Sequence, residues 1–517
     1  MKKIFSNIHP LFWVISAAIL FHLPVFVPFS WKYDELDYLT GVREIFNGAP
    51  LYTTYGDLKP PLLFWIYALA CWIGGGIHIL NIKWLGLAVF TGTTAVIYRI
   101  GTVLEGRALG LVAGLLFAGY SICARGEEML ATNSEMMMNI FVVTAYLLFL
   151  SHLTIKKNLL LLSLSALLLA AGFFTNQKAG ISLPVFGLLL LFVPRQSPRD
   201  DWQQRLGEAG LVSVMFLAPL VVFILYYDHI NQLGQIRYWL FEIPNAYLTS
   251  FSFDTRLDRL LPRSLIFFQG FFALALPILY GLYFLIRYRR SNPAWLAILL
   301  YLLFSYYAVF SGGKMMERYF IQILPPLMLI GALGTLELFR ALAGREGGGA
   351  GVAVLLALIF CAAPIYYSVQ HWTTDEPTLQ EIAANPDLQR MQRYVQDHSR
   401  PDDTLFVLPR DRYYYYFLEK RIGTQFLSIA DHLVGRRFHP TPSEVFRKGW
   451  SLLFKDLDER RPKWIIDITG NFDKQRRDPA HIRQAKEKLK RYVTTHYRMV
   501  GRFGKDRLYR RRPAFSS

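Results

Sequence analysis

The feature that most constrains this chain is a series of twelve long apolar runs separated by shorter polar segments. An α-helix needs about 20 apolar residues, and at least about 17, to cross the hydrocarbon core of a bilayer. The chain is also only 18% charged, whereas soluble domains average about 25%. Both observations predict a polytopic membrane protein. The runs lie near 11–29, 61–80, 84–101, 108–124, 136–155, 158–174, 179–194, 209–227, 264–286, 293–310, 319–341 and 349–368.

The run at 61–80 is the least suited to cross, because it begins at Pro60-Pro61 and is interrupted by three glycines at 74–76. If all twelve runs crossed, four basic clusters would face outward, against the tendency of lysine and arginine to remain in the cytoplasm. The clusters are Lys156-Lys157, 195–205, 287–290 and 340–345. Without the 61–80 crossing they all face inward. We therefore expect about 11 transmembrane helices, a cytoplasmic N-terminus and a membrane-edge helix at 61–80.

The composition changes after residue 369, where long apolar runs stop and charged residues and turn signals become frequent. A period-3.6 pattern predicts a helix, and short β-branched or aromatic runs predict strands and a hairpin. These elements are a helix at 387–397, strands at 404–408 and 464–469, and a hairpin at 499–511. We expect a transmembrane domain at 1–368, with an external loop at 30–80, and a soluble extracytoplasmic α/β domain at 369–517.

Charge and cysteine content exclude two other classes of protein. The net charge is +18, which in a membrane protein most often reflects basic cytosolic loops. The last third is basic but contains no recognisable nucleic-acid-binding module, so we expect no nucleic-acid partner. The three cysteines lie far apart in separate apolar runs. A disulfide framework or a zinc site is therefore not expected.

The polar stretch at 31–62, WKYDELDYLTGVREIFNGAPLYTTYGDLKPPL, carries the residues best suited to chemistry. A loop of about 30 residues is long for a compact domain and is usually functional or disordered, and this one is too apolar for disorder. Asp34 could accept a proton from an attacking hydroxyl. It could equally be a solvated loop acid or the N-cap of a helix at 36–47.

Asp57 and Lys59 precede Pro60-Pro61 at the end of the same stretch. A residue before proline is held in an extended conformation, which fixes the direction of the Lys59 backbone. A lysine at a membrane surface can pair with a lipid phosphate as a point charge. The ordinary alternative is a lysine that extends from the interface into water.

Further charged residues fall on the same outward side of the predicted topology. Glu135 lies at the start of an apolar helix, where an acid also favourably meets the helix dipole; Glu127 and Glu128 are less favoured candidates for a second acid. Lysines and arginines in outward-facing connections between membrane helices run against the positive-inside trend. Binding of an anionic ligand is the interpretation that we prefer. The candidate ligands of an anion are Lys178, Lys314, Arg318 and the neighbouring Tyr319. The ordinary alternative for Lys178 is a topological anchor, and for Lys314 and Arg318 it is an ion pair with Glu317.

These residues together resemble the membrane-embedded glycosyltransferases of the dolichyl-phosphate-mannose protein mannosyltransferase superfamily. The bacterial branch, which includes the lipid A aminoarabinose transferase, is the more similar. The resemblance rests on Asp34-Glu35, Tyr38, Gly48 to Tyr52, Asp57 to Leu62, Thr175 to Lys178, Arg318-Tyr319 and Leu324 to Pro326. It covers most of 1–340.

The resemblance implies a C-type glycosyltransferase fold in the cytoplasmic membrane of a bacterium, with an outward-facing site. It implies a polyprenyl-phosphate-linked sugar donor and a lipid, glycan or protein acceptor among the membrane lipids. Asp34 resembles the catalytic acid, and Lys59 resembles the lysine on the donor phosphate. The aminoarabinose transferase has an acid directly before this lysine, where this chain has Leu58. No cofactor is therefore certain, and a divalent cation stays open.

Two other functions compete with glycosyl transfer. A polytopic transporter or flippase of a lipid-linked or small anionic solute would also be basic and apolar. Such proteins often contain inverted repeats and polar residues near the bilayer midplane, whereas the acids here lie at predicted membrane edges. The third alternative is a non-catalytic scaffold whose exterior domain binds a partner.

Overall fold

A computed structural model describes most of the chain. The described residues are 9–26, 33–123, 129–155, 157–193, 201–343, 349–373, 377–409, 413–427, 429, 433, 442–468 and 478–513. Glu127 and Glu128, the less favoured candidates for a second acid, lie outside these ranges.

Helices account for most of the described residues. The helices are α1 Pro10–His22, α2 Tyr33–Phe46, α3 Pro61–Ile73, α4 Ile79–Glu105, α5 Arg107–Tyr120, α6 Ser134–Thr154, α7 Leu159–Thr175, α8 Ser182–Phe192, α9 Trp202–His229, α10 Leu233–Ile236, α11 Ile243–Thr249, α12 Phe253–Phe268, α13 Ala275–Phe284, α14 Pro293–Ser311, α15 Leu324–Ala343, α16 Gly349–Trp372, α17 Leu379–Ala383, α18 Pro386–Asp397, α19 Tyr413–Phe417, α20 Glu444–Glu459 and α21 Ala480–His496. The strands are β1 Thr404–Leu408, β2 Arg421–Ile422, β3 Trp464–Asp467, β4 Tyr497–Phe503 and β5 Asp506–Arg511.

The chain divides into two compact units. The first contains Met1–Ser30, Ile82–Leu225 and Phe253–Asp375. The second contains Trp31–Asn81, Tyr226–Ser252 and Glu376–Ser517. The segment expected as an external loop of the membrane domain is thus grouped with the C-terminal residues. The sequence-based assignment of functional domains at 1–368 and 369–517 stays a prediction.

The first unit is built from apolar helices, and the chain is a multi-pass membrane protein. Six helical segments of the described residues are long and apolar enough to cross a bilayer. They are Ile79–Glu105, Ser134–Thr154, Trp202–His229, Phe253–Arg289, Pro293–Ser311 and Glu317–Leu342. Shorter apolar helices accompany them, so the expected count of about eleven crossings stays a prediction.

Helices α13 and α15 of this unit approach each other at backbone contact. A Cβ atom added at Gly334 would lie 1.8 Å from the carbonyl oxygen of Pro277, and one at Gly281 would lie 2.1 Å from that of Ile330. Since lipid supplies little hydrophobic drive for helix association, close packing at small residues holds membrane helices together. The two glycines therefore set the distance between these helices.

Helix α3 is the element formed by the 61–80 run, whose expected position at the membrane edge stays a prediction. It has 13 residues, from Pro61 to Ile73, and at a rise of about 1.5 Å per residue such a helix covers only about 20 Å. The hydrocarbon core is about 30 Å thick. Pro60 is the extended residue that precedes the helix, with φ −66° and ψ 162°.

The second unit contains a five-stranded mixed sheet in the order β2-β1-β3-β5-β4. Strands β2, β1 and β3 are parallel, and β5 and β4 are antiparallel to their neighbours. The predicted strand at 404–408 matches β1, and the predicted hairpin matches β4 and β5, which turn at Gly504 with φ +59°. This confirms the predicted fold class, a helical membrane domain with an α/β domain near the C-terminus.

Contacts within the second unit join the 31–81 segment to this sheet. The guanidinium of Arg421 on β2 lies 2.9 Å from a carboxylate oxygen of Glu44 on α2. The amide of Gly56 donates to the carbonyl of Gln425 at 2.9 Å. Arg460 at the end of α20 donates to the carbonyl of Thr54 at 3.0 Å. The segment is therefore an integral part of this unit.

Candidate active site

Asp34 lies in the first turn of α2, which begins at Tyr33. The helix starts earlier than the predicted 36–47, so Asp34 is not its N-cap residue, and that alternative is wrong. A carboxylate in the first turn is stabilised by the helix dipole. The side chain is half-buried, while its neighbours Glu35 and Asp37 are buried.

Asp57 organises the turn that carries Lys59. Its Oδ1 accepts a hydrogen bond from the backbone N–H of Lys59 at 2.9 Å. Its Oδ2 accepts one from the hydroxyl of Tyr55 at 2.9 Å. A carboxylate that binds the backbone two residues ahead forms a local turn that favours one conformation. Asp57 thus positions the lysine backbone immediately before Pro60.

Two tyrosines complete this turn. The hydroxyl of Tyr52 donates to the carbonyl of Lys59 at 2.7 Å, and the backbone N–H of Tyr52 donates to the carbonyl of Tyr55 at 2.8 Å. Tyr52 adopts φ +66°, an uncommon conformation for a residue with a side chain. The two hydrogen bonds connect Tyr52 to Lys59 and to Tyr55 across the turn. The backbone of Lys59 is fixed on its N–H and its C=O.

The pKa of Asp57 is raised because burial disfavours its charged form. The hydrogen bonds from Lys59 N–H and Tyr55 and the charge of Lys59 oppose this increase, while the charge of Asp34 adds to it. Burial also raises the pKa of Tyr55 well above its usual value. Tyr55 therefore remains a hydrogen-bond donor to Asp57.

The first unit places a second group of predicted residues together, which we call the Glu135 cluster: Glu135, Lys178, Arg318 and Tyr319. Asn133 caps α6 by accepting from the N–H of Met136 at 2.9 Å, and Glu135 lies in the first turn, as predicted. The Glu135 side chain is fully buried. Its Oε2 accepts from the hydroxyl of Ser134 at 3.0 Å.

Lys178 is the centre of this cluster. Its Nζ lies 3.2 Å from Oε1 of Glu135 and 3.4 Å from the ring centre of Tyr319. The Arg318 guanidinium carbon lies 5.7 Å from the same ring centre. An aromatic face within about 6 Å of a cation attracts it. The structure therefore brings together three segments that are far apart in sequence. The predicted topology places these same polar segments on one side of the membrane.

Lys314 belongs to the same connection as Arg318, but its side chain forms no ion pair with any described residue. The ordinary alternative for these cations, an ion pair with Glu317, is wrong for Lys314. Glu317 instead faces Arg263 at 3.9 Å. Asp34, Asp57 and Lys59 lie in the second unit, whereas Glu135, Lys178, Lys314, Arg318 and Tyr319 lie in the first.

The structure identifies no cluster of protein ligands for a divalent cation among the residues that it describes. Within those residues, no group of three or more histidine, cysteine, aspartate or glutamate side chains is arranged to hold a metal ion. Both oxygens of Asp57 already accept hydrogen bonds. Three or more ligands from the protein would be needed for an all-protein site of the usual kind.

Sequence reasoning missed several residues that hold these groups. Tyr55 and Tyr52 fix the Asp57–Lys59 turn, although Tyr52 had contributed to the family resemblance. Asn176 links α7 to α6, since its side-chain amide donates to the Ser134 hydroxyl at 3.0 Å. The Asn133-Ser134 pair before an apolar run is a helix-start signal that could have been used. The other partners come from distant parts of the chain.

Comparisons with known proteins add information at the level of the fold. No protein-family model matches the chain, and no curated protein matches it. Solved structures do. ArnT from Cupriavidus metallidurans bound to undecaprenyl phosphate superposes with a TM-score of 0.61 and 12% identity, covering 98% of this chain and 99% of that one.

Oligosaccharyltransferases share the fold over less of their length. AglB from Archaeoglobus fulgidus, in complex with an inhibitory peptide and a dolichol-phosphate, gives a TM-score of 0.52 at 14% identity, covering 89% of this chain and 69% of that one. The Archaeoglobus fulgidus oligosaccharyltransferase in complex with Zn and sulfate gives the same TM-score at 14% identity, covering 89% of this chain and 68% of that one. The chain therefore has the fold of these membrane transferases, which confirms the fold that its motifs implied.

Proposed function

We propose that this protein, which has the fold of ArnT and AglB, is a glycosyltransferase. It transfers a sugar from a polyprenyl-phosphate-linked donor to an acceptor at the extracytoplasmic face of a bacterial cytoplasmic membrane. The acceptor is a lipid, a glycan or a protein. The observation that carries the proposal is the likeness over 98% of the chain to ArnT bound to undecaprenyl phosphate. The Asp34, Asp57 and Lys59 motif supports it, because its residue types suit this chemistry.

In the proposed reaction, the acceptor oxygen attacks the anomeric carbon of the sugar. The bond from that carbon to the phosphate oxygen breaks, and the polyprenyl phosphate leaves with the electron pair. Asp34 takes the proton of the acceptor hydroxyl as general base. Lys59 stabilises the negative charge that develops on the leaving phosphate. The turn at Asp57 holds the Lys59 backbone in one conformation, so little reorganisation is needed during the reaction.

The Glu135 cluster contributes in a different way. The sequence predicts Glu135 as a second acid and Lys178, Lys314, Arg318 and Tyr319 as ligands of the substrate. In the cluster, both oxygens of Glu135 are engaged by Lys178 and Ser134. We therefore favour a positioning role for Glu135, which orients Lys178. A cation fixed in this way is better prepared to meet an anion than a mobile one.

The test is mass spectrometry of the lipids and glycans of a deletion strain, complemented by the wild-type chain or by Asp34→Asn. Glycosyl transfer predicts that one sugar is lost from an envelope acceptor while its polyprenyl-phosphate-linked form accumulates at the extracytoplasmic face. The wild-type chain restores the sugar and Asp34→Asn does not. Accumulation of the donor at the cytoplasmic face would instead indicate a flippase, and an unchanged envelope would contradict both functions.

A further inference from the structure

Two pairs of arginines face each other across the hairpin of β4 and β5. Arg498 is directly opposite Arg510, and Arg502 is directly opposite Arg507. Like charges at directly opposite positions of an antiparallel pair are destabilising. Two such pairs in one hairpin concentrate positive charge, and an anionic group nearby would offset their repulsion.

The hairpin itself supplies few such groups. Residues 497–513 contain seven lysines and arginines and one acid, Asp506. Asp506 accepts a hydrogen bond from the hydroxyl of Tyr414, and Arg507 lies 3.9 Å from Asp467. No carboxylate of the described residues lies within ion-pair distance of Arg498 or Arg510. Within those residues, the Arg498–Arg510 pair therefore has no counter-charge.

Protection of a sheet edge explains only part of this pattern. Strand β4 is an edge of the sheet, and charged side chains on an edge strand prevent pairing with other chains. That accounts for Arg498, which is exposed. Arg510 lies on β5, between β4 and β3, where no free edge has to be protected. The pair as a whole calls for a ligand.

Aromatic side chains surround the same face of the sheet. Trp464, Arg510 and Arg498 are successive cross-strand partners on β3, β5 and β4, so they share one face. The Arg510 guanidinium carbon lies 5.8 Å from the Trp464 ring centre. Tyr394 contacts both Trp464 and Phe503, with ring centres 6.1 Å and 6.3 Å apart. Tyr394 and Phe503 are half-exposed.

We propose that Arg498 and Arg510, with the rings of Tyr394 and Phe503, bind a saccharide that carries a phosphate or carboxylate group. Paired arginines provide the planar, two-donor recognition that such anions accept. The partly exposed rings offer apolar faces on which the C–H side of a sugar packs. The proposal rests on the proposed function only in one respect, namely that the saccharide would be the acceptor.

The test measures binding directly with the purified full-length chain in detergent. The probes are a fluorescent phosphorylated oligosaccharide, the same oligosaccharide without phosphate, a uronic acid oligosaccharide, and phosphatidylglycerol in mixed micelles. The variant is Arg498→Gln/Arg510→Gln. The control is Arg483→Gln/Arg491→Gln, which removes the same charge from exposed positions of α21. Thermal unfolding of each ligand-free protein is recorded as well.

We expect the wild-type chain to bind at least one anionic saccharide and to bind the phosphate-free one much more weakly. The hairpin variant should lose roughly ten-fold or more in affinity, as expected when hydrogen bonds to a charged group are removed. The control should change little. The ligand-free hairpin variant should unfold at an equal or higher temperature, because a like-charge pair has been removed.

Three results would overturn the proposal. They are equal weakening in the hairpin variant and the control, binding of phosphatidylglycerol alone, and a hairpin variant that unfolds well below the wild-type temperature. Failure of this site and failure of the proposed function are distinguishable. The first is read from binding, and the second is read from the lost sugar and accumulated donor in the deletion strain.

Discussion

Lys178 and Glu135 form an ion pair in which Nζ lies 3.2 Å from Oε1. The carboxylate is fully buried and the lysine side chain is 21% exposed. Both residues are predicted from the sequence as part of an outward-facing site, one as an acid and one as a phosphate ligand. Because of this ion pair, we expect the effect of a substitution at one residue on stability to depend on the other residue.

Removal of Lys178 should be more damaging to stability than removal of the pair. Lys178→Met leaves the buried Glu135 charge without its main partner, and we expect a loss of about 2–3 kcal/mol in the free energy of unfolding, below the value for a fully buried pair because Lys178 is partly exposed. Adding Glu135→Gln should recover much of this loss. Thermal unfolding of both single variants and the double variant measures the coupling. Additive losses would contradict the pairing.

Asp34→Asn should abolish sugar transfer while the protein remains folded in the membrane. The amide keeps the shape of the side chain but is not a base, so the general-base contribution of about 10²–10⁴ in rate is lost. Turnover is measured with a polyprenyl-phosphate-linked sugar and membranes that contain equal amounts of protein. Glu459→Gln, at an exposed position of α20, serves as the control. Full turnover in Asp34→Asn would exclude the proposed role.

Lys59→Ala should lower kcat by about 10²–10³, as expected when a group that stabilises developing charge is removed. In the hydrogen bonds to the Asp57 carboxylate and the Tyr52 hydroxyl, residue 59 uses only its main-chain N–H and C=O, so the turn itself should remain. Lys455→Ala is a matched control in the same unit, because that lysine is 62% exposed and, among the described residues, forms an ion pair only with Glu459. A kcat that falls equally in both variants would show a general effect of charge.

Asp57 should give the second unit a pH-dependent stability. Because its pKa is raised in the folded state, its contribution to stability is fully present below the unfolded-state pKa of about 3.9 and is lost as the pH rises through the folded-state pKa. Asp57→Asn cannot ionise. The variant should therefore gain stability relative to the wild type as the pH rises from acid to neutral. An advantage that grows toward acid pH would reverse the sign and contradict this assignment.

Gly56→Ala should loosen the 31–62 stretch from the sheet. A Cβ atom at this position would lie 1.9 Å from Cε2 of Trp239, and that indole is fixed by a 2.9 Å hydrogen bond to Gln425. We expect a destabilisation of about 1–3 kcal/mol, as for other overpacked sites. Gly234→Ala meets no atom within 4 Å and is the control. Limited proteolysis should cut the 31–62 stretch faster only in the Gly56 variant.

Several features could be predicted because they depend on residues that are close in sequence. Apolar runs identify membrane helices, since each run satisfies its own backbone hydrogen bonds. Strand β1 follows from a short β-branched and aromatic run, and the β4–β5 hairpin follows from two such runs around a turn. The Asp57–Lys59 contact is likewise local, and the motif that contains it carried the family resemblance. Helix α2 began three residues earlier than predicted, because the acids in its first turn suit a helix N-terminus.

The sequence by itself therefore determined a polytopic helical protein with an α/β domain near its C-terminus and identified Asp34 and Lys59 as candidates for chemistry. Only the tertiary structure decided that the 31–81 segment belongs with the C-terminal sheet, through partners such as Arg421 and Gln425 that lie more than 350 residues away. Only the tertiary structure paired Glu135 with Lys178, and Arg498 with Arg510. Such pairings depend on the packing of helices and on strand register, and the residues that are adjacent in sequence do not reveal either of these.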